Sequence, residues 1–206
     1  MFLKETKSIL TAALQNTFTG AYPVADFQNI FISIEYPYER QNYPAIWVGF
    51  EPMGTIDRGG INNDFGFTPA QFFSDGSPLP ISVWRATGYA TYTIGALTAL
   101  ERDNLFDELL RVLAFSDSSS AISYRSMVES NPLIGMNLNF DAIAVRGISE
   151  NPGTPWGTSE IIYEATLAIE AQIEFSSDLT GALTSISEVT VNADNPVSGD
   201  LSITVT

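Results

Sequence analysis

The stretch Ile161–Phe175 constrains the fold more than any other part of the chain. All eight odd positions (Ile161, Tyr163, Ala165, Leu167, Ile169, Ala171, Ile173 and Phe175) are apolar. The even positions are Ile162, Glu164, Thr166, Ala168, Glu170, Gln172 and Glu174. Successive side chains on a strand point to opposite faces, so period two over this length predicts a long strand with one buried and one exposed face. Glu164, Glu170 and Glu174 fall on the face expected to be exposed.

Such a sheet needs a second layer, and two segments can supply it. Phe2, Leu3, Ile9, Leu10, Ala13, Leu14 and Phe18 recur near helical spacing, with Lys4, Glu5, Lys7 and Gln15 opposite and Gly20 as a stop. This predicts an amphipathic helix over Phe2–Phe18. Thr98-Ala-Leu-Glu101 has the form of a capping box. The helix it opens, Ala99–Phe115, is expected to bury Leu105, Phe106, Leu109, Leu110, Val112 and Leu113. Asp103 in its first turn and Arg111 near its last suit the helix dipole.

Further strands are expected at Asn29–Tyr36 and Tyr43–Phe50, joined as a hairpin through Pro37–Asn42, and at Arg85–Ala96. Met136–Phe140 alternates, and the phase then passes to Ile143 and Val145, which suggests a bulge or a strand end. Ala121–Pro132 fits either a short helix or an extended connection, and Arg146–Thr158 reads as a Gly/Pro turn region. Glu51–Pro80 holds five glycines, four prolines and the phenylalanines Phe65, Phe67, Phe72 and Phe73. It predicts a long loop that orders against the body or a neighbouring copy. After Phe175, Val189, Val191, Leu201, Ile203 and Val205 alternate with polar residues, as in a β-hairpin or an arm. The expected fold is α+β: a mainly antiparallel sheet packed by two helices over residues 1–176, with 51–80 inserted and 177–206 as a C-terminal β extension.

Composition narrows the chemistry. There is no cysteine and no histidine, which excludes thiolate metal sites, disulfides and the Ser-His-Asp and Cys-His arrangements. No phosphate-binding glycine loop or zinc motif occurs. Carboxylates remain, as Asp57, Asp64 and Asp75 in the long loop or Glu164, Glu170 and Glu174 on the strand. Positions 164 and 170 lie about 20 Å apart on an extended strand, too far for a glycosidase pair. Asn192-Ala-Asp-Asn lacks the ligand ladder of a calcium loop and reads as a turn. No catalytic, cofactor or metal residue is assigned. The 24 acidic residues against 9 basic give a net charge of -15. That balance disfavours nucleic-acid binding, and Arg58, Arg85, Arg102, Arg111, Arg125 and Arg146 are scattered rather than patched. Neither a signal peptide nor a membrane-spanning helix is expected.

The order helix, strand hairpin, long loop, strand, capped helix, strand, strand resembles that of tail-terminator and neck proteins of long-tailed bacteriophages. The wording is nearest in Thr87–Phe115, with Leu97-Thr-Ala-Leu-Glu-Arg-Asp-Asn-Leu-Phe-Asp-Glu-Leu-Leu, and in Thr154-Pro-Trp-Gly-Thr and Tyr163-Glu-Ala. These stretches resemble tail-completion proteins of actinobacterial phages. The long loop and the residues after Phe175 exceed that compact pattern. The resemblance implies a non-enzymatic virion protein, made in the host cytoplasm and located in the tail-neck region. It would form a homohexameric ring between a major tail tube protein and a neck or stopper protein. DNA would pass through a lumen whose acidity prevents sticking. Two alternatives are another neck or baseplate structural role, and a carbohydrate- or protein-binding module using Trp47, Trp84 and Trp156.

Overall fold

A computed structural model describes residues 2–20, 22–61, 81–114, 119–130, 134–152, 154–157 and 160–178. Within them lie helices α1 (Phe2–Thr17), α2 (Ala99–Ala114) and α3 (Ser119–Glu129). The strands are β1 (Phe31–Ser33), β2 (Ala45–Ile61), β3 (Ile81–Ala96), β4 (Ile134–Asn151) and β5 (Ile162–Asp178). They form one sheet in the order β1-β2-β3-β5-β4, antiparallel except for β1 on β2. The fold is therefore α+β with a sheet-dominated core.

The helices lie on one face of the sheet. Leu10, Leu14 and Phe18, Leu105, Leu109 and Leu113, and Tyr124 and Val128 join a single core with Ile46, Val48, Tyr92, Ile94, Leu167, Ile169 and Ile173. The small residues of β3 let β2 come close. A Cβ added to Gly88 would lie 2.7 Å from Phe50 Cζ and 2.9 Å from Pro52 Cα. At the head of α2 the Glu101 N–H donates to Thr98 Oγ1 at 3.2 Å. The Leu97 N–H donates to Glu101 Oε2, also at 3.2 Å. The box forms as expected, with the glutamate reaching one residue further back.

Several expectations are corrected. Asn29–Tyr36 and Tyr43–Phe50 do not form a hairpin, because the three residues of β1 pair parallel to β2. Ser33 Oγ accepts the Glu35 N–H at 2.8 Å, a local bond that takes the backbone out of the ladder. The connection then crosses the sheet before re-entering at Ala45. The loop expected from Glu51 is strand as far as Ile61. Gly54, at φ 71, lies within the register shift between Met53 and Asp57, so its turn-like composition marks an irregularity inside a strand. Residues 62–80, with Asp64, Asp75 and the four phenylalanines, lie outside the described residues. So does the extension from 179 on, with Asn192.

Arg146–Asn151 is likewise strand rather than turn. The phase change expected near Ile143 is a register shift between Leu138 and Ile143, and a second follows between Val145 and Gly147. The segment left open between helix and connection is α3, a third helix. The strand read at Ile161–Phe175 is β5, but its even face is not uniformly exposed. Ile162, Ala168 and Glu174 are buried. The cause is position: β5 lies inside the sheet, paired on both sides, and neighbouring side chains shelter both of its faces.

Candidate functional site

Among the described residues, polar and aromatic side chains gather on the face of the sheet away from the helices. At one end, the connection between β1 and β2 lays Tyr36 and Tyr43 over it. The Tyr36 ring meets Trp47 at 4.9 Å and Tyr38 at 6.1 Å, and Tyr43 meets Trp156 at 5.4 Å. Gly95 makes room. A Cβ there would stand 2.9 Å from Trp47 Cζ3 and 3.0 Å from Tyr43 Cε1. Two charged groups close the rim. Arg40 Nε donates to Glu160 Oε1 at 3.0 Å, and Trp156 Nε1 donates to Glu160 Oε2 at 3.0 Å.

Glu164 stands under this cluster and accepts the Tyr36 hydroxyl at 3.5 Å. Loss of water raises its pKa above the ordinary 4.5, and hydrogen bonds from Tyr36, Ser149 and Asn151 oppose the rise. Tyr36 and Tyr43 are raised as well, chiefly by the same loss of water. Loss of water thus disfavours the charged carboxylate, and the three hydrogen bonds to it offset part of that penalty.

Further along, Arg146 reaches from β4 across the face. Its guanidinium sits 4.0 Å from the Tyr89 ring centre, and Nη1 lies 3.3 Å from Glu51 Oε2. Thr93 and Thr166 share a hydroxyl bond at 3.0 Å, and Arg85 Nη2 donates to Gln172 Oε1 at 2.5 Å. Glu170 is exposed, whereas Glu174 is buried opposite Arg85 in the β3–β5 register.

The three strand glutamates thus share a face but occupy three environments. Asp57 is exposed on β2. No group of three or more His, Cys, Asp or Glu among the described residues is placed to hold a metal ion. Of the three tryptophans, Trp47 and Trp156 are spent on aromatic packing, and Trp84 is half-buried on β3. Arg102 pairs with Asp103 and lies near the Tyr163 ring, and Arg125 stacks over Phe140 at 4.1 Å. An open polar cleft of about 400 Å³ lies beside Arg125, Glu129, Asn137, Asn139 and Gln172.

Sequence reasoning missed the contacts that join distant segments. On the helix side Tyr22 donates to Glu108 Oε2 at 2.7 Å and accepts from Arg111 Nη2 at 3.0 Å, which ties the turn after α1 to α2. Separations of 86 and 89 residues leave no local signal for such a group. No described helix is long and apolar enough to cross a membrane. No protein-family profile matches the chain, and no curated protein is similar to it.

Proposed function

We propose that the chain is a structural subunit of a long-tailed bacteriophage virion, forming a hexameric ring that terminates the tail tube and joins it to the head-neck. The observation that carries this reading is the mismatch between sheet and helices. Four strands run 16 to 18 residues, about 55 Å, while the longest helices run 16 residues, about 24 Å. Strands more than twice as long as any one helix packed on them leave apolar side chains without a partner inside the subunit. Val145 and Ile148 on β4, level with Leu167 and Ala165 on the helix-side face, are 57% and 61% exposed. Neighbouring subunits are the natural cover for such surface. The net charge of -15 supports the same reading, since an acidic lumen repels the phosphates of passing DNA.

The aromatic binding-module alternative has less support. Trp47 and Trp156 pack against tyrosines, and Tyr38, at 67% exposure, is the one ring of that cluster largely open to solvent. Light scattering and negative-stain microscopy of the purified chain test the ring. The expected particle is an annulus of six 22.4-kDa chains that is retained by tail-tube protein. A strict monomer at high concentration, with no retention, refutes it.

A further inference from the structure

We propose that the cleft beside the end of α1 is a binding site for a primary alkylammonium group. The inference stands apart from the ring reading, since every residue it uses lies within one subunit.

The cleft is open, about 480 Å³ in volume, and lies between α1, the single-turn helices Ala25–Phe27 and Arg40–Asn42, and β1. Three of the chain's five glutamines, Gln15, Gln28 and Gln41, converge on it from separate segments. Asp26 supplies a carboxylate, and Phe31, 38% exposed, supplies a ring face. No described Lys or Arg lines the cleft. Arg40, next to Gln41 in the chain, is turned to Glu160 at 3.0 Å.

The hydrogen bonds of the three glutamines fix which end of each amide is which. Gln15 Nε2 donates to the Ile32 carbonyl oxygen at 2.8 Å, and Gln28 Nε2 to that of Tyr22 at 2.7 Å. Gln41 Nε2 donates to Glu39 Oε2 at 2.5 Å. Each of these partners only accepts, so each amide must turn its nitrogen to it, which leaves Oε1 without a described partner. Tyr43, also in the wall, spends its hydroxyl proton on the Pro37 carbonyl at 3.2 Å. Asn29 and Asn42 add two amides that can offer either end.

The wall is therefore rich in acceptors and short of donors. A hydroxyl ligand needs both kinds of partner, and a carboxylate or phosphate needs donors. An ammonium group carries only donors and a positive charge. It suits the three amide oxygens, the Asp26 carboxylate and the face of Phe31, whose ring quadrupole attracts a cation. The net charge of -15 draws such a ligand toward the chain.

Saturation-transfer NMR on the purified chain tests the site with small probes. Butylammonium should bind in the millimolar range. Butanol and butyrate, of similar shape, should bind about tenfold more weakly or worse, the equivalent of one lost charged hydrogen bond. Asp26→Asn and Gln41→Lys should each weaken butylammonium by about the same factor. Both positions are exposed, so the circular dichroism spectrum should match the parent's. Cadaverine and Nα-acetyl-lysinamide separate a free polyamine from a lysine side chain of a partner. The tighter of the two names the source, and equal affinities support a site that reads the ammonium alone. No binding of butylammonium, or equal binding of butanol, overturns the inference. So does an unchanged butylammonium affinity in either variant.

Discussion

Gly88→Ala puts the closeness of β2 and β3 to a direct test. The added methyl group would meet the Glu51 carbonyl oxygen, Phe50 Cζ at 2.7 Å and Pro52 Cα at 2.9 Å. Two of these three are backbone atoms of a paired strand, so no side-chain rotation relieves the clash. Overpacking of a core costs about 1–3 kcal/mol, and a rigid neighbour places this case near about 3 kcal/mol. For a chain of this size that corresponds to a fall in melting temperature of about 6–12 °C. Gly147→Ala is the matched control, since nothing lies within 4 Å of its added Cβ. It should stay within about 0.5 kcal/mol of the parent. Thermal and urea melts followed by far-UV circular dichroism read both variants. A Gly88→Ala melt within about 2 °C of the parent would refute the packing argument.

Two further outcomes follow from buried groups. Tyr92 and Tyr124 share a hydroxyl bond at 2.5 Å, and both are fully buried. Each single Phe variant should lose about 1–3 kcal/mol by stranding its partner's hydroxyl. The double variant should lose less than the two summed, and strict additivity in urea melts would count against the pairing. Glu164 binds its proton more tightly in the folded chain than in the unfolded one. The parent should therefore lose stability as pH rises from the ordinary 4.5 through the raised folded value, and be free of that loss below it. Glu164→Gln should remove this part of the slope and be at least as stable at pH 7. Identical slopes for parent and variant would show that the site imposes no such penalty.

Local patterning carried the elements whose signal is short-range. The alternation of β5, the amphipathic repeat of α1 and the Thr98–Glu101 cap need only neighbouring residues, and all three are present in the structure. Where a signal had two physical readings, the wrong one was easy to choose. Glycine and proline between Glu51 and Ile61 mark a loop or an irregular strand equally well, and only pairing with β3 decides. The Ile30, Ile32 and Ile34 alternation promised a hairpin. Yet Ser33's hydroxyl binding the Glu35 N–H ends β1 after three residues.

The candidate face was barely legible. Glu164, Glu170 and Glu174 were seen to share it, but not that Tyr36 would reach one of them or that burial would take another. Those outcomes depend on which strands flank β5 and on a connection that folds back from residues 34–44. What the sequence alone determined about Ile161–Phe175 is a strand with an apolar side, because side-chain direction alternates along any extended backbone. Only the tertiary structure decided that this strand lies inside the sheet, so its glutamate face became partly interior. Burial depends on neighbours brought from across the chain, and no period within one segment encodes them.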